Sequence, residues 1–565
     1  MPSRRVTWHT IAGESKKAAD RLHMGETPKL RVDFEPLNRW AVVEWNTTLL
    51  EAARAAGVEM VTLCGGAGSC ESCEIQLLQG QLNPPTKEEH SILSEEDLAQ
   101  GLRLACQATA ASDLRLLVPL SSLDQSQRLQ LEAIVPSVVP SSLIRGRKSG
   151  LGLAVDLGTS KLAGYLVDME TGETLATAGA MNPQARFGED VISRIAYVGR
   201  RPSGARELRE AAIQALEGIL DELCSAAGVA RSQVVEVAIV GNTAMHHLLL
   251  GLPVSQLGAA PYMPASAQAM DLSPAQIGLR LDPGARVHLP PLLAGFVGSD
   301  HLAVLLATGL WQTEQTAAAI DIGTNTEISL AHRGRLLSCS CASGPALEGA
   351  HIRHGMRAGP GAIERVRIEG GVVSVHTIAG IPAEGICGSG LVDAVAEMRA
   401  AGILDARGAA DPLAPDVRPG PDGRGWEFVL VAATGGLRGK DIVVTGSDVR
   451  QLQLAKAAIR AGLQVLAQEA GVQEQMIEKV DIAGAFGSYL NIRSAVRLGM
   501  LPPLPRGRFR QVGNAAGLGA RQMLTTAEQR AAEGEIVRRM QYVELATHPG
   551  FAAAFVQAMQ LQPGR

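Results

Sequence analysis

Two stretches of this chain, far apart, spell the same hairpin. LAVDLGTSKLAGYLVD at 153–168 and AAIDIGTNTEISLAHRG at 318–334 each run an apolar strand into Asp, an apolar residue, Gly, Thr, a Ser or Asn, and then a second apolar strand. An aspartate at the strand end (Asp156, Asp321) offers the oxygen ligand that magnesium takes, commonly through water. The turn that follows brings Gly158, Thr159, Ser160 and Lys161 in the first copy, and Gly323, Thr324 and Asn325 in the second. Backbone N–H groups and hydroxyls in such turns form anion-binding concavities. A single Asp-x-Gly-Thr is ordinary turn chemistry. Two copies in matching strand contexts predict a phosphate hairpin used twice.

A second constraint lies nearer the N-terminus. Cys64, Cys70 and Cys73 share one tight loop, Gly65, Gly66 and Gly68 fill its first gap, and Cys106 stands alone further on. Three thiolates from a loop and a fourth from a distant segment can hold a 2Fe-2S cluster, and glycines let the backbone pass close and aim N–H groups at the sulfurs. A structural zinc site is expected to bring two close Cys or Cys/His pairs, and only Cys70 and Cys73 form one. The five-residue first gap differs from the plant-type ferredoxin spacing and resembles the adrenodoxin and putidaredoxin branch. Leu30, Val32 and Phe34 alternate as a strand, Ala41–Val43 suggests a second, and Thr47 or Thr48 caps a short helix carrying Leu49, Leu50 and Ala53. The reading is an α+β ferredoxin-like (β-grasp) domain over 29–120.

That domain is a minor part of 565 residues, which at about 100 to 200 residues per domain hold roughly three or four. Aromatics at 3% leave no stacking platform for bases, and a formal charge of -5 argues against a polyanion, so no nucleic acid partner is expected. The opening MPSRRVTWHTIAG lacks an apolar signal core, and no run of about 18 apolar residues could span a bilayer, so the expectation is a cytoplasmic chain with no membrane partner. Eight cysteines, half of them in one cluster motif, fit a reducing compartment.

Three further segments read as strand or loop, glycine turn, then helix: VEVAIVGNTAMHHLLLG (235–251), GICGSGLVDAVAEM (385–398) and VDIAGAFGSYLNI (480–492). Their turns carry Gly241, Asn242 and Thr243, then Gly388, Ser389 and Gly390, then Gly484 and Gly487. A helix N-terminus preceded by glycines suits anions through free N–H groups and the macrodipole. No Walker motif competes: GGLRGKD at 435–441 lacks the first glycine at the required spacing and a Ser or Thr after Lys440. GNAAGLG at 513–519 lacks the G-x-G start of a dinucleotide turn and is set aside.

On these motifs the chain resembles the actin, sugar-kinase, acetate-kinase and heat-shock-chaperone superfamily, in which two related α/β domains close over a nucleotide with one phosphate hairpin each. The resemblance implies ATP and Mg2+ as cofactors, with the three glycine-turn segments as connecting, phosphate and adenosine elements. The expected organisation is a flexible tail at 1–28, the ferredoxin at 29–120, a linker at 121–150 rich in Ser and basic residues and broken by Pro136 and Pro140, and actin-like ATPase lobes at 151–315 and 316–565. A 2Fe-2S ferredoxin, a linker and an actin-like ATPase in one chain is similar to the reductive activators of corrinoid proteins. NPQARFGEDVISRI (182–195), AGFVGSDHLA (294–303) and CGSGLVDA (387–394) also resemble segments of that family. The resemblance implies ATP-driven electron transfer from the iron-sulfur centre to cobalt, restoring cob(II)alamin to the cob(I)alamin that a methyltransferase needs. The implied partners are the corrinoid protein of a methyltransferase system and an upstream electron donor, and a homodimer is compatible. Some relatives carry a small extra module before the ATPase, for which 121–150 leaves little room.

The residues alone reach a related division of labour. A one-electron centre is of no use to simple phosphoryl transfer, so joining it to a nucleotide clamp makes most sense if nucleotide state controls electron flow. Asp156 and Asp321 are the candidates to position magnesium and the attacking water. Glu348, in GPALEGAHIRHGM, and Asp300, in GFVGSD, are candidates to orient that water, or else turn and cap residues. Two alternatives stay open: a small-molecule kinase with a redox-sensing ferredoxin, which predicts a phosphorylated product, and an ATP-gated chaperone-like module, which predicts partner release with no electron delivered. Cys224 on a helix, Cys339 and Cys341 on a strand, and Cys387 in a glycine turn are read first as packing. His246 and His247, near a helix start, are read as capping or surface residues rather than cobalt ligands.

Overall fold

The computed structural model describes residues 28–123 and 150–562, apart from positions 38, 422, 437, 438 and 485. The expected tail at 1–28 and linker at 121–150 therefore lie, except at their inner ends, outside the described residues. The chain divides into two compact units between residues 131 and 132.

In the first unit, strands β1 (Lys29–Glu35) and β2 (Arg39–Glu44) form an antiparallel pair, and helix α1 (Leu49–Ala55) leads to the cysteine loop. Thr48, one of the two expected caps, starts α1 through a capping box with Glu51, satisfying the first N–H groups of a short helix. Strands β3 (Glu74–Gln79), β4 (Leu102–Leu104) and β5 (Leu114–Leu117) complete a five-stranded sheet in the order β2-β1-β5-β3-β4, with β5 parallel to β1. Val32, Phe34, Leu49, Ile75, Leu104 and Leu116 bury fully beneath it. The domain extends past residue 120, since Leu123 is fully buried and Val61 N donates to Ser122 O.

The second unit holds two six-stranded sheets of matching design. Strands β6 (Leu151–Leu157), β7 (Lys161–Asp168) and β8 (Thr174–Met181) form a meander, followed by helices α2 (Val191–Arg200) and α3 (Gly204–Ala227). Strand β9 (Val234–Gly241) returns parallel to β6 and feeds helix α4 (Thr243–Leu250). With β10 (Met270–Leu272) and β11 (Arg286–Leu289) the sheet order is β10-β11-β9-β6-β7-β8, and helix α5 (Ser299–Thr308) follows.

The second lobe repeats the plan. Strands β12 (Ala317–Ile322), β13 (Thr326–His332) and β14 (Arg335–Cys341) are again a meander. Two small sheets intervene, one of β15 (Ala362–Glu369), β16 (Val372–Thr377) and β17 (Gly385–Ile386), the other of β18 (Val417–Pro419), β19 (Trp426–Val431) and β20 (Ile442–Thr445). Helix α6 (Gly388–Ala400) follows β17, and helix α7 (Gly446–Ala470) follows β20. Strands β21 (Lys479–Ala483) and β22 (Phe509–Gly513) then run parallel to β12, and β23 (Met540–Tyr542) closes the order β22-β21-β12-β13-β14-β23.

Between β22 and β23 come helix α8 (Ala515–Thr525) and helix α9 (Ala527–Arg539). They belong by sequence to the second lobe yet lie against the first: Arg521 donates to Thr174 Oγ1, and Arg530 to Glu236 and Asp271. Helices α5 and α8 cross closely, because Gly519 carries no Cβ that would stand 2.1 Å from the Ala303 carbonyl. A core of Leu302, Leu305, Ala516, Ala520 and Met523, with Ala154 and Ala319 from the two sheets, welds the lobes at the base of the cleft. Among the described residues no helix is long and apolar enough to cross a membrane.

Candidate functional site

The cysteine loop turns through Gly65, Gly66 and Gly68, all at positive φ, a conformation that side chains resist. A side chain at Gly68 would also meet Gln107 at 2.7 Å. The resulting path points the N–H groups of Gly66, Gly68 and Ser69 at the Cys64 sulfur. Buried Glu89 accepts from Arg103 Nε at 2.9 Å and from Leu104 N at 2.9 Å, which fixes the strand leading to Cys106. The four sulfurs stand as two pairs, Cys64 with Cys70 and Cys73 with Cys106. Burial pushes the Cys64 thiol up, but the Cys70 contact and the loop N–H groups outweigh it and the net direction is down. The Cys73 thiol donates to Cys106, holding Cys106 down to about 6 and Cys73 up. Among the described residues no three His, Cys, Asp or Glu side chains converge on a position for one ion. Two thiolate pairs suit two bridged irons, each taking one pair.

The second site lies in the cleft of the other unit, a cavity of about 400 Å³ between the two hairpins. The β6–β7 and β12–β13 turns face each other across it. Ser160 Oγ and Thr324 Oγ1 are 3.1 Å apart, and the Glu348 carboxylate accepts from Ser160 Oγ at 3.0 Å and also from Thr324 Oγ1. Asn242 caps α4 and donates to Thr159 Oγ1 at 2.8 Å, while Asn514 caps α8 and donates to Asp156 Oδ2 at 3.0 Å.

Five carboxylates line the cavity, Glu348 and the cluster of Asp156, Asp300, Asp321 and Glu327. Burial pushes Asp156 up to about 6, and burial together with the charge of Asp156 pushes Asp321 up to about 7. Burial, then Asp156 and Asp321, raise Asp300 to about 8, and Glu327 is raised by burial and by Asp300. Such mutual repulsion is relieved by a cation, and the residues fit a hydrated magnesium ion reached through water.

The sequence candidates distribute unevenly. Gly158, Thr159, Ser160, Lys161, Asn242, Gly323, Thr324, Asn325, Gly388, Ser389 and Gly484 line the cavity beside Asp156, Asp321 and Glu348. Gly241, Thr243, Gly390 and Gly487 stand outside its wall. Thr243 Oγ1 donates to Ala294 O, and a Cβ on Gly390 or Gly487 would stand 2.0 Å from Ile363 O or 2.4 Å from Ala483 O, so these positions serve close packing. Cys224, Cys339 and Cys341 are buried, and the last two press against Gly462. Cys387 lines the cavity but donates its thiol to Ile363 O, and burial raises it. His246 and His247 are neither caps nor surface residues: Asn242 takes the cap, and both imidazoles are buried, so burial lowers both and brings His246 down to about 3.

Asn514 and Glu327 were missed by sequence reasoning. The signal for Asn514 was present, because Val512-Gly513-Asn514 repeats the Val240-Gly241-Asn242 strand end of the first lobe. Glu327, the second residue of β13 and the partner of Asp321 across the hairpin, was passed over as part of an apolar strand.

Fold and site together define a class: a 2Fe-2S ferredoxin carried in one chain with a two-lobed actin-like ATPase. Three family models match, described as a 2Fe-2S iron-sulfur cluster binding domain over residues 35–111, the RACo middle region over 151–313, and the C-terminal domain of RACo, the ASKHA domain, over 315–564. The corrinoid activation enzyme RamQ of Eubacterium limosum is 37% identical over 412 residues, covering 72% of this chain and 69% of that protein. The [Co(II) methylated amine-specific corrinoid protein] reductase of Methanosarcina barkeri is 26% identical over 407 residues, 66% of this chain and 69% of that protein. A solved structure titled reductive activator for corrinoid, iron-sulfur protein aligns with a TM-score of 0.67 at 33% identity, over 94% of this chain and 98% of that one. The chain belongs to the family of reductive activators of corrinoid proteins.

Proposed function

We propose that this protein consumes ATP to pass one electron to the cobalt of a protein-bound corrinoid, converting cob(II)alamin to cob(I)alamin for a methyltransferase. The 2Fe-2S cluster, held by Cys64, Cys70, Cys73 and Cys106, supplies that electron. The observation that carries the reading is the coexistence of the paired cysteines with a nucleotide cleft whose two hairpins are tied through Ser160, Thr324 and Glu348. A kinase or a chaperone-like clamp has no need of a one-electron centre.

Asp156 and Asp321 would hold hydrated magnesium beside the triphosphate, and the N-terminus of α6 at Gly388 and Ser389 lines the same cavity. Glu348 and Asp300, which line the same cavity, are the groups proposed to orient the attacking water. Driving one charge uphill costs about 2.3 kcal/mol per 100 mV. A clamp that, closed on ATP, distinguishes the two cobalt states by a few kcal/mol meets that demand. Hydrolysis then separates the partners and gives the cycle its direction. The finer setting proposed with it is cytoplasmic, with an upstream electron donor recharging the ferredoxin and a homodimer as the assembly to test by sedimentation.

The test is an anaerobic mixture of reconstituted protein, low-potential reductant, Mg-ATP and a corrinoid protein in the cob(II) state. Cob(I) absorbance that rises only with ATP supports the reading. A phosphorylated small molecule, or release of the corrinoid protein without reduction, overturns it.

A further inference from the structure

We infer that Arg194 is a positioning residue of the first phosphate hairpin, and the buried counter-charge that makes the cleft prefer a triphosphate to an uncharged nucleoside. This rests on the proposed ATP reading and goes beyond it to one side chain that does not itself line the cavity.

The segment Asn182–Ile195 wraps behind the β6–β7 turn and takes hold of three successive carbonyls. Asn182 Nδ2 donates to Gly158 O at 2.8 Å, Arg194 Nη2 to Thr159 O at 2.7 Å, and Asn182 N to Ser160 O at 2.9 Å. In a trans peptide the carbonyl and the following N–H point in opposite directions. Holding these three carbonyls from behind therefore turns the N–H groups of Thr159, Ser160 and Lys161 toward the cavity that those residues line.

Arg194 is fully buried, and every acceptor it contacts is neutral: Thr159 O, Gly188 O, Gln184 Oε1 and Met245 Sδ. Asp190, the carboxylate whose charge acts on it through space, is exposed and engaged in capping α2. Burial brings the guanidinium down to about 10, which leaves it charged at neutral pH. A buried cation without a partner is costly. An anion on the far side of the hairpin supplies the counter-charge that the fold withholds, and this favours phosphate over an uncharged ligand.

Two variants test this on the whole reconstituted protein by calorimetric titration with ATP, ADP and adenosine. Arg194→Met removes the charge. Gln184→Glu keeps an acceptor on Arg194 but gives it a carboxylate, at the loss of the bond from Gln184 Nε2 to Leu208 O. In both, the ratio of ATP to adenosine affinity should fall about tenfold, the scale of one unit charge acting through a protein interior. Adenosine affinity and the visible spectrum of the cluster should stay unchanged. A purely structural role would weaken ATP and adenosine in proportion, and that result, or an unchanged ratio in either folded variant, overturns the inference. If Arg194→Met does not fold, Gln184→Glu decides alone. Wild-type protein that ignores ATP would overturn the ATP reading itself, and the inference with it.

Discussion

Ser160 and Thr324, the hydroxyl residues of two hairpins that share a motif, stand 3.1 Å apart across the cleft with Glu348 accepting from both. One carboxylate thus ties the two lobes at the point where phosphate is expected. Replacing Glu348 with Ala should lower ATP turnover about a hundredfold, the scale of a lost general base. ATP affinity should hold or rise, because a negative charge facing phosphate is removed. Steady-state kinetics beside equilibrium titration separate the two quantities.

The cluster and the clamp are predicted to fail independently. Asp321→Ala should abolish ATP-dependent cobalt reduction while the visible spectrum of the cluster stays intact. Cys73→Ala should bleach the spectrum and leave ATP hydrolysis. A variant that loses both properties, or neither, would contradict the division of labour.

Asn514 has two tasks, capping α8 through Gly517 N and donating to Asp156 Oδ2. Asn514→Ala should cost about 1 kcal/mol in denaturant unfolding, as a lost cap does. It should also raise the KM for ATP severalfold, since Asp156 loses its fixed orientation. A stability loss with KM unchanged would confine Asn514 to the cap.

The seam between β11 and α9 should respond to pH. His288 is buried between Asp271 at 2.9 Å and Glu533 at 3.1 Å. Burial lowers the imidazole, but its two carboxylate partners outweigh that and its net direction is up. A group raised in the folded state binds its proton more tightly there than in the unfolded chain. Its contribution is complete below about pH 6.5, the unfolded value, and is lost as pH rises through the folded value. His288→Gln should therefore destabilise by about 3 kcal/mol at pH 6, the scale of a broken buried pair, and by clearly less at pH 9. Urea denaturation at both pH values measures this, and an equal loss at both would refute it.

What the sequence made legible was what sits in short contiguous stretches under strong chemical constraint. The hairpins around Asp156 and Asp321 and the loop around Cys64, Cys70 and Cys73 need particular residues at particular spacings, so they read directly. The Asn514 turn was hidden because GNAAGLG was weighed against a dinucleotide turn rather than against the Gly241-Asn242 turn it repeats. Glu327 stands directly opposite Asp321 in the β12–β13 pair, so the hairpin read at 318–334 already implied its place, but it was passed over as part of an apolar second strand. Arg194 was visible as part of a family-like segment, but its grip on Thr159 depends on α2 folding back behind the hairpin. His246 and His247 were misread because α4 is buried on every side and leaves no solvent face for them.

The most direct measurement is a single turnover. Protein with its cluster reduced and all excess reductant removed is mixed with a cob(II) corrinoid protein, with and without Mg-ATP, and cob(I) is counted by absorbance. The proposed mechanism predicts one cob(I) formed per oxidised cluster, and only when hydrolysable ATP is present. Equal cob(I) without nucleotide, or none with it, would contradict the claim that ATP drives the electron from cluster to cobalt.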